Sequence, residues 1–369
     1  TTTPRSTPCC MARSRDDQPP RHALVIRFRR VGDSVLGVAV CTSLKRTFPD
    51  IRVDYVLNAA IAPLYEGHPD IDRVIPFTDD DNRHALRYIA RVWHIMRRTR
   101  YDIIIDMRAT MRTLLFSLFS LRTPFRIGTR KAYSRLLHNY RVADRTDPAR
   151  DMVQRDLMLL QPLERIANVI YDPCFRLHVP DEERRAYRAY MERCGIDFTR
   201  PIVLAAVATR IVGKGWDMER MQAVLRRMID TYHPQIILNY SGDRERALCL
   251  SLYERMSRDA HLFPSIEAAT LRDLRALTSL CHFFFGNEGG PRHIAQALDI
   301  PAYAIYPPGV SKRLWLPGSN PRFRGISPDD IAPPSPKATR AERFDLLTVD
   351  RVWQGVDEMM REYAAFGRR

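Results

Sequence analysis

The sequence predicts an α/β protein built from two doubly wound parallel sheets that face each other across a central cleft. Short apolar runs alternate with helical patterns, the alternation occurs twice along the chain, and polar loops containing glycine follow several of the apolar runs. A chain of 369 residues also suits two domains better than one, because single cores stop growing at about 250–300 residues. Sheets of this kind bind ligands beyond the carboxyl ends of their strands.

The first alternating block covers residues 22–165. Its apolar runs are typical of buried strands and lie at 23–28, 53–57, 74–77, 101–106 and 125–128. Helical patterns lie between the runs, and the pattern over 84–99 places several apolar side chains on one side: Leu86, Ile89, Ala90, Trp93 and Met96. The block therefore predicts a parallel sheet with helices on both faces.

The second block repeats this pattern after a linker and a charged helix that ends at Gly195. Strands are predicted at 202–207, 235–240, 283–285 and 302–306, with helices at 217–232, 244–258, 271–278 and 291–298. Coil rich in proline follows over 307–340, and an amphipathic helix over 349–366. We therefore expect domains at 21–175 and 176–345, a final helix at 346–369 and a disordered tail at 1–20.

Composition narrows the possible partners. The net charge of +15 predicts attraction to something anionic, but the chain has no recognition-helix or RNA-binding signature, so we expect no nucleic-acid partner. Seven cysteines without a CxxC pair argue against a disulfide framework and a zinc site. Cys9 and Cys10 are expected to be exposed thiols in the tail, and the alternative is that they are acylated. The same cysteine pattern predicts a reducing, cytoplasmic compartment. No run of about 18 apolar residues occurs, so we expect no membrane-spanning helix.

The loop after the first predicted strand contains Gly32 and Asp33. A glycine allows the backbone to approach a substrate closely, and Asp33 lies where the next helix begins. Aspartate at that position is either a helix cap or a catalytic carboxylate, and the local sequence leaves both alternatives open.

The loop after the strand 202–207 contains Thr209, Arg210 and Lys214, and glycines flank the lysine. Such a lysine reaches a phosphate with little steric obstruction, although the loop lacks the pattern of a Walker A motif. The alternative is an ordinary basic surface loop.

The third loop runs from Gly286 to His293 and includes Asn287, Glu288, Gly289 and Gly290. Glycines ahead of a proline in the first helical turn leave backbone amides available at a helix N-terminus, which favours an anion such as diphosphate. The alternative is a glycine-rich turn with a solvated histidine and arginine.

In this order and spacing the three loops resemble glycosyltransferase family 9, the bacterial ADP-heptose:lipopolysaccharide heptosyltransferases. The resemblance covers about residues 22–318, and it includes segments at 24–36, 62–75, 101–108 and 286–301. It implies a GT-B fold, inversion at the anomeric carbon and no metal. It also implies an ADP-linked heptose donor, a lipid-linked glycan acceptor and a final helix that crosses back to the amino-terminal domain.

Carried over by position, Asp33 is the general base and Lys214 stabilises the departing diphosphate, with the amides of Gly289 and Gly290 beside it. The substrate-binding candidates are Gly32, Thr209, Arg210, Asp243, Glu245, Asn287, Glu288, Gly289, Gly290, His293 and Arg126. Asp243 and Glu245 compete for the ribose hydroxyls. The amino-terminal domain would hold the acceptor and the carboxy-terminal domain the nucleotide sugar.

The chain departs from the family pattern where Glu288-Gly289 replace an aspartate followed by threonine or serine. This departure leaves the donor sugar and the nucleotide base open. A basic surface suits an enzyme that works as a monomer at the anionic inner membrane face. The alternatives are a nucleotide-sugar epimerase of similar shape and a binding protein without catalysis.

Overall fold

The structure is a computed structural model that describes residues 18–143 and 147–363. It contains two six-stranded sheets whose strands are all parallel, one sheet from each half of the chain. Most of the predicted tail, residues 1–17 with Cys9 and Cys10, lies outside the described residues, as do residues 364–369, which include the end of the predicted last helix.

The amino-terminal half forms the first sheet. Its strands are β1 (His22–Ile26), β2 (Arg52–Asn58), β3 (Arg73–Phe77), β4 (Ile103–Asp106), β5 (Phe125–Thr129) and β6 (Tyr140–Val142). Its helices are α1 (Val31–Leu36), α2 (Val38–Thr47), α3 (Asp79–Arg83), α4 (Ala85–Arg98), α5 (Leu114–Leu118) and α6 (Met152–Leu157), followed by a 3-10 segment at Met158–Arg165. Alternate residues of β1 enter cores on opposite faces, so helices cover both sides of this sheet.

The carboxy-terminal half forms the second sheet. Its strands are β7 (Ile202–Ala206), β8 (Gln235–Leu238), β9 (Leu262–Phe263), β10 (Phe283–Asn287), β11 (Ala302–Ile305) and β12 (Phe323–Ile326). Its helices are α7 (Asp181–Arg193), α8 (Met218–Tyr232), α9 (Asp243–Arg255), α10 (Leu271–Ser279), α11 (Gly290–Ala297), α12 (Lys312–Trp315), α13 (Arg340–Asp345) and α14 (Val349–Tyr363).

The two sheets have the same topology. The strand orders are β3-β2-β1-β4-β5-β6 and β9-β8-β7-β10-β11-β12, so the direction of winding reverses between β1 and β4 and again between β7 and β10. Ligands of doubly wound sheets bind at such reversal points, beyond the carboxyl ends of the strands. The loops after β1, β7 and β10 therefore lie where binding is expected.

A buried arginine connects the two halves of the molecule. The side chain of Arg275, on α10, is fully buried, and it donates hydrogen bonds to the carbonyl oxygens of Leu64 at 2.9 Å and Glu66 at 3.0 Å. Its guanidinium also pairs with the Glu183 carboxylate of α7. Because a buried charge is costly unless it is paired, these contacts favour one arrangement of the two halves.

The final helix differs from the expectation. Residues Val352, Val356, Met359 and Met360 of α14 are buried in the core of the carboxy-terminal half, so this helix does not cross back to the amino-terminal half over its described length. Its polar side makes further contacts there, including the ion pairs Arg227–Asp350 and Arg324–Glu362. The prediction that the final helix packs on the amino-terminal domain was therefore wrong. The apolar side of α14 packs instead against α8, β11 and β12 of the carboxy-terminal half.

Helix α4 also presents a different side to the core than its pattern indicated. Tyr88, Val92 and Met96 are its buried residues, whereas Leu86 and Trp93 are exposed. The helix is thus apolar on its core side and on part of its solvent side.

Within the described chain, no helix combines the length and apolar composition that crossing a bilayer requires.

Candidate active site

Asp33 lies in the first turn of α1, at the carboxyl end of β1. The cap position of this helix is occupied by Arg30, and no side chain caps the helix. The Asp33 carboxylate is instead buried and pairs through Oδ1 with Arg27 Nη2 at 3.3 Å and Arg29 Nη1 at 3.1 Å. The capping alternative is therefore wrong, and two arginines hold the carboxylate.

Arg27 links Asp33 to a second carboxylate in the interior. Its guanidinium is 3% exposed and lies 3.0 Å from Oδ2 of Asp156, a fully buried residue of α6. Its Nε also donates to the backbone oxygen of Asp33 at 3.2 Å. Burial disfavours the charge on Arg27, but the two carboxylates outweigh burial and raise its pKa. Arg27 therefore holds Asp33 through two contacts, one with its backbone oxygen and one with its carboxylate.

The start of α1 faces the start of α11 from the other half. A Cβ atom on Gly32 would lie 2.6 Å from the His293 ring, and one on Gly290 would lie 3.2 Å from Cβ of Val31. Residues with side chains would force these helix starts apart. Glycine at the two positions thus brings the Asp33 loop of one half against the glycine-rich turn of the other.

His293 is buried at this junction. Burial and the positive charge of Arg292 lower its pKa to about 4, although Glu288 and Asp33 act in the opposite direction. The imidazole is therefore neutral at neutral pH. Arg292 Nη2 lies 2.9 Å from Nδ1 and 2.8 Å from Nε2 of the ring, and Nε2 also lies 3.4 Å from Glu288 Oε1.

Asn287, the last residue of β10, bonds to both ends of the loop between β7 and α8. Its Oδ1 accepts a hydrogen bond from the Trp216 amide at 2.8 Å, and its Nδ2 donates to the carbonyl oxygens of Val207 at 2.8 Å and Ala206 at 3.2 Å. The side chain is buried, so these bonds account for a polar group that would otherwise be costly. Asn287 thus positions the lysine loop against the glycine-rich turn.

Lys214 lies within electrostatic reach of that turn. Burial disfavours the Glu288 carboxylate, but its hydrogen bond to His293 and its electrostatic interactions with His293, Arg292 and Lys214 together lower its pKa. On the same loop, Thr209 donates to the carbonyl oxygen of Ile211 at 2.9 Å, and Arg210 is exposed. The loop therefore brings positive charge toward the start of α11.

Gly289 and Gly290 begin α11. Gly289 is the cap residue, Gly290 the first helical residue, and a proline follows. Amides in the first turn of a helix have no carbonyl partner within the helix, and the N-terminus carries partial positive charge. Together with Lys214, this turn can receive the negative charge of a diphosphate.

The two candidate ribose contacts differ in their surroundings. Glu245 is buried and its Oε2 accepts the Ser241 amide at 2.8 Å, whereas Asp243 is exposed at the first position of α9. Arg244 donates to the Thr209 carbonyl oxygen, which brings the start of α9 beside the Lys214 loop. Asp243 is thus the carboxylate that is open to an incoming ligand.

Arg126 lies apart from the other candidates. It occupies the second position of β5, at the opposite end of the strand from the cleft, and donates to the carbonyl oxygens of Leu137, Leu121 and Thr123 at 2.8, 2.7 and 2.6 Å. These bonds anchor the segments around β5. The structure does not bring Arg126 to Asp33 or Lys214.

Sequence reasoning missed two charged residues of this region. Arg27 directly follows the apolar residues of β1, and a charge in that position was a signal that a buried partner exists. Asp156 carried no such signal, because it lies far along the chain on a short helix.

Among residues 18–143 and 147–363, no three His, Cys, Asp or Glu side chains are grouped so that they could hold a metal ion.

The comparisons agree with this architecture. The model of glycosyltransferase family 9 (heptosyltransferase) matches residues 89–342. Lipopolysaccharide heptosyltransferase 3 of Escherichia coli is 22% identical over 300 residues, which cover 78% of this chain and 84% of the relative.

Two solved structures share the fold. The Escherichia coli ADP-heptose lps heptosyltransferase II matches with a TM-score of 0.73 and 20% identity, over 93% of this chain and 100% of the other. Escherichia coli heptosyltransferase WaaC with ADP-2-deoxy-2-fluoro heptose gives a TM-score of 0.66 and 16% identity, over 91% of this chain and 99% of the other. This chain therefore has the GT-B fold, as the sequence predicted.

Proposed function

Because the chain belongs to glycosyltransferase family 9, we propose that it transfers heptose from ADP-heptose to a lipopolysaccharide core or a related lipid-linked glycan, with inversion and without a metal ion. One observation carries the proposal: the Asp33 carboxylate of one half lies at the junction with the glycine-rich turn and Lys214 of the other half. An inverting transfer needs a base for the acceptor hydroxyl on one side of the cleft. On the other side it needs groups that stabilise the negative charge of the leaving diphosphate.

In this mechanism Asp33 removes the proton from the acceptor hydroxyl while the oxygen of that hydroxyl attacks C1 of the donor sugar. Both arginine contacts fall on Oδ1, so we assign the proton to Oδ2. The bond between C1 and the diphosphate oxygen breaks, and ADP leaves with the electron pair. Attack from the face opposite the leaving group inverts the configuration at C1.

The departing ADP gains negative charge on its diphosphate. We assign the stabilisation of that charge to Lys214 and to the first-turn amides of α11 at Gly289 and Gly290, which would do the work that a divalent cation does in other transferases. His293 is buried beside them and neutral, so it contributes no charge of its own. Asp243 is the carboxylate we assign to the ribose hydroxyls.

We assign acceptor binding to residues 21–175 and donor binding to residues 176–345. The acceptor is lipid-linked, so we further propose that the enzyme works as a monomer on the anionic cytoplasmic face of the inner membrane. The excess of basic residues, with a net charge of +15, supports this location because anionic headgroups attract basic surfaces.

The test is transfer from ADP-heptose to a lipid-free core oligosaccharide by Asp33→Asn. We expect turnover to fall by about 10²–10⁴, the usual contribution of a general base, while the Kd for ADP stays near that of the parent chain. Asp50→Asn, an exposed aspartate after α2, is the control. Unchanged turnover would exclude Asp33 as the base, and loss of activity in a chelator that manganese restores would exclude the metal-free mechanism. Conversion of the nucleotide sugar without an acceptor would indicate an epimerase instead.

A further inference from the structure

One surface of the amino-terminal half exposes large apolar side chains from three segments. It comprises α4, the segment 107–122 around α5 and the loop 130–136, and its largest exposed apolar residues are Leu86, Trp93, Met111, Leu121, Tyr133 and Leu136. Leu86 is 84% exposed and Leu136 is 87% exposed. We refer to this surface as the docking face. Contiguous exposed apolar surface of this kind marks an interaction site.

Contacts between the three segments make the docking face continuous. The rings of Trp93 on α4 and Phe119 after α5 lie 5.3 Å apart, edge to face. Tyr88 of α4 donates to the carbonyl oxygen of Arg112 at 3.4 Å, and Tyr133 of the third segment donates to the carbonyl oxygen of Ala109 at 2.7 Å. The 107–122 segment thus lies between the other two.

The docking face is basic as well as apolar. Residues 84–137 contain only two acidic residues, Asp102 and Asp106. The Asp102 carboxylate accepts backbone amides, and Asp106 is fully buried, so neither offsets charge at the surface. Arg87 pairs with Asp80 of α3, but exposed arginines remain beside the apolar residues, among them Arg97, Arg98, Arg112, Arg122, Arg130 and Arg135.

The docking face also adjoins the cleft. Arg108 donates to the carbonyl oxygen of Phe28, at the start of the loop that leads to Asp33. Lys131 in turn donates to the carbonyl oxygen of Arg108 at 3.2 Å. A lipid-linked molecule held at this face would therefore present its glycan toward the base.

We propose that the docking face lies on a bilayer of anionic phospholipid, with Leu86, Met111 and Leu136 in the headgroup region and the arginines at the phosphates. The proposal rests on the proposed function in one respect, that the acceptor is linked to a lipid. Apolar side chains interleaved with arginines suit an anionic bilayer surface. The apolar side chains enter the boundary between headgroups and acyl chains, while the guanidinium groups stay at the phosphates. A second copy of this chain is a poor occupant, since a symmetric contact would oppose the same arginines.

The test is co-sedimentation of the full chain with vesicles of phosphatidylcholine, with and without phosphatidylglycerol. One variant combines Leu86→Ser, Met111→Ser and Leu136→Ser, and a second combines Arg98→Glu, Arg122→Glu and Arg135→Glu. The matched controls are Ile170→Ser, Leu248→Ser and Leu250→Ser at exposed apolar positions elsewhere, and Arg184→Glu, Arg185→Glu and Arg193→Glu on α7.

We expect the parent chain and both controls to bind the vesicles that contain phosphatidylglycerol. The apolar variant should bind at least about tenfold more weakly, and the arginine variant should lose about fivefold for each charge removed. Transfer to a lipid-free oligosaccharide should be unchanged in both variants, so a failure of the proposed function would be seen separately. Equal vesicle binding by variants and controls would overturn the proposal, as would a dimer of the parent chain that the variants disrupt without any difference in vesicle binding.

Discussion

Arg27 and Asp156 form an ion pair in the interior of the amino-terminal half, with Nη2 and Oδ2 separated by 3.0 Å. The same guanidinium group contacts Asp33, so the proposed base is held by a charge that is itself anchored from the other side. A carboxylate on a loop would otherwise sample many positions, and proton transfer requires one of them. This arrangement makes Asp156 a positioning residue in our interpretation.

Asp156→Asn tests that role. Removing one partner of a buried ion pair leaves the other charge uncompensated, so we expect the free energy of unfolding in urea to fall by about 3 kcal/mol. We also expect kcat to fall about tenfold or more, because the base loses its orientation, while KM for the donor changes little. A loss of stability with normal kcat would show that Asp156 stabilises the fold without positioning Asp33.

Gly32→Ala tests the contact between the two halves. The added Cβ would lie 2.6 Å from the His293 ring, so the halves must separate or the ring must move. We expect a loss of about 1–3 kcal/mol in unfolding free energy, typical of overpacking, together with reduced turnover. In the Gly32→Ala/His293→Ala double variant the two losses should be less than additive, because the clash is then absent. Additive losses would place the effect of Gly32 elsewhere.

The buried His293 predicts a dependence of stability on pH. Its pKa is lowered from 6.5 to about 4 in the folded protein, chiefly by burial. As the pH falls below about 6.5, the unfolded state therefore binds the proton first, and the stability that the neutral imidazole contributes is lost between pH 6.5 and about 4. The full effect is at most about 3 kcal/mol.

Urea unfolding of the parent chain and of His293→Gln, each at neutral pH and at about pH 5, measures this contribution. The variant should lose less stability on acidification than the parent. His68 and His138 also have lowered pKa values, through burial above all, and remain in both proteins, so the difference between the two slopes reports His293. Identical slopes would mean that His293 does not titrate in this range.

Lys214→Ala tests the donor side of the site. A charged hydrogen bond to phosphate contributes about 1.5–3 kcal/mol, so we expect the Kd for ADP, measured by calorimetry, to rise about tenfold to a hundredfold. Turnover should fall as well, because the leaving group loses its stabilising charge. Lys337→Ala, at an exposed lysine in the coil before α13, is the matched control. If both variants bind ADP alike, Lys214 lies outside the site.

Much of the architecture followed from the sequence because it depends on local patterns. Apolar runs alternating with helical periods predicted the longer strands of both sheets, and with them the ends of β1, β7 and β10 where Asp33, Lys214 and the glycine-rich turn lie. The edge strands β6, β9 and β12 went unpredicted. β6 and β9 have only three and two residues, and the four residues of β12 include Arg324 and Gly325 in place of a continuous apolar run. Their strand character comes from pairing with a neighbouring strand.

What only the tertiary structure decided is which groups meet across long stretches of chain. It paired Arg27 with Asp156, left Asp243 open while Ser241 engaged Glu245, and packed α14 on the carboxy-terminal half. It also turned Leu86 and Trp93 of α4 toward solvent. A helical period shows that a side is apolar, but whether another part of the chain covers that side depends on packing, and partners distant in sequence leave no local trace.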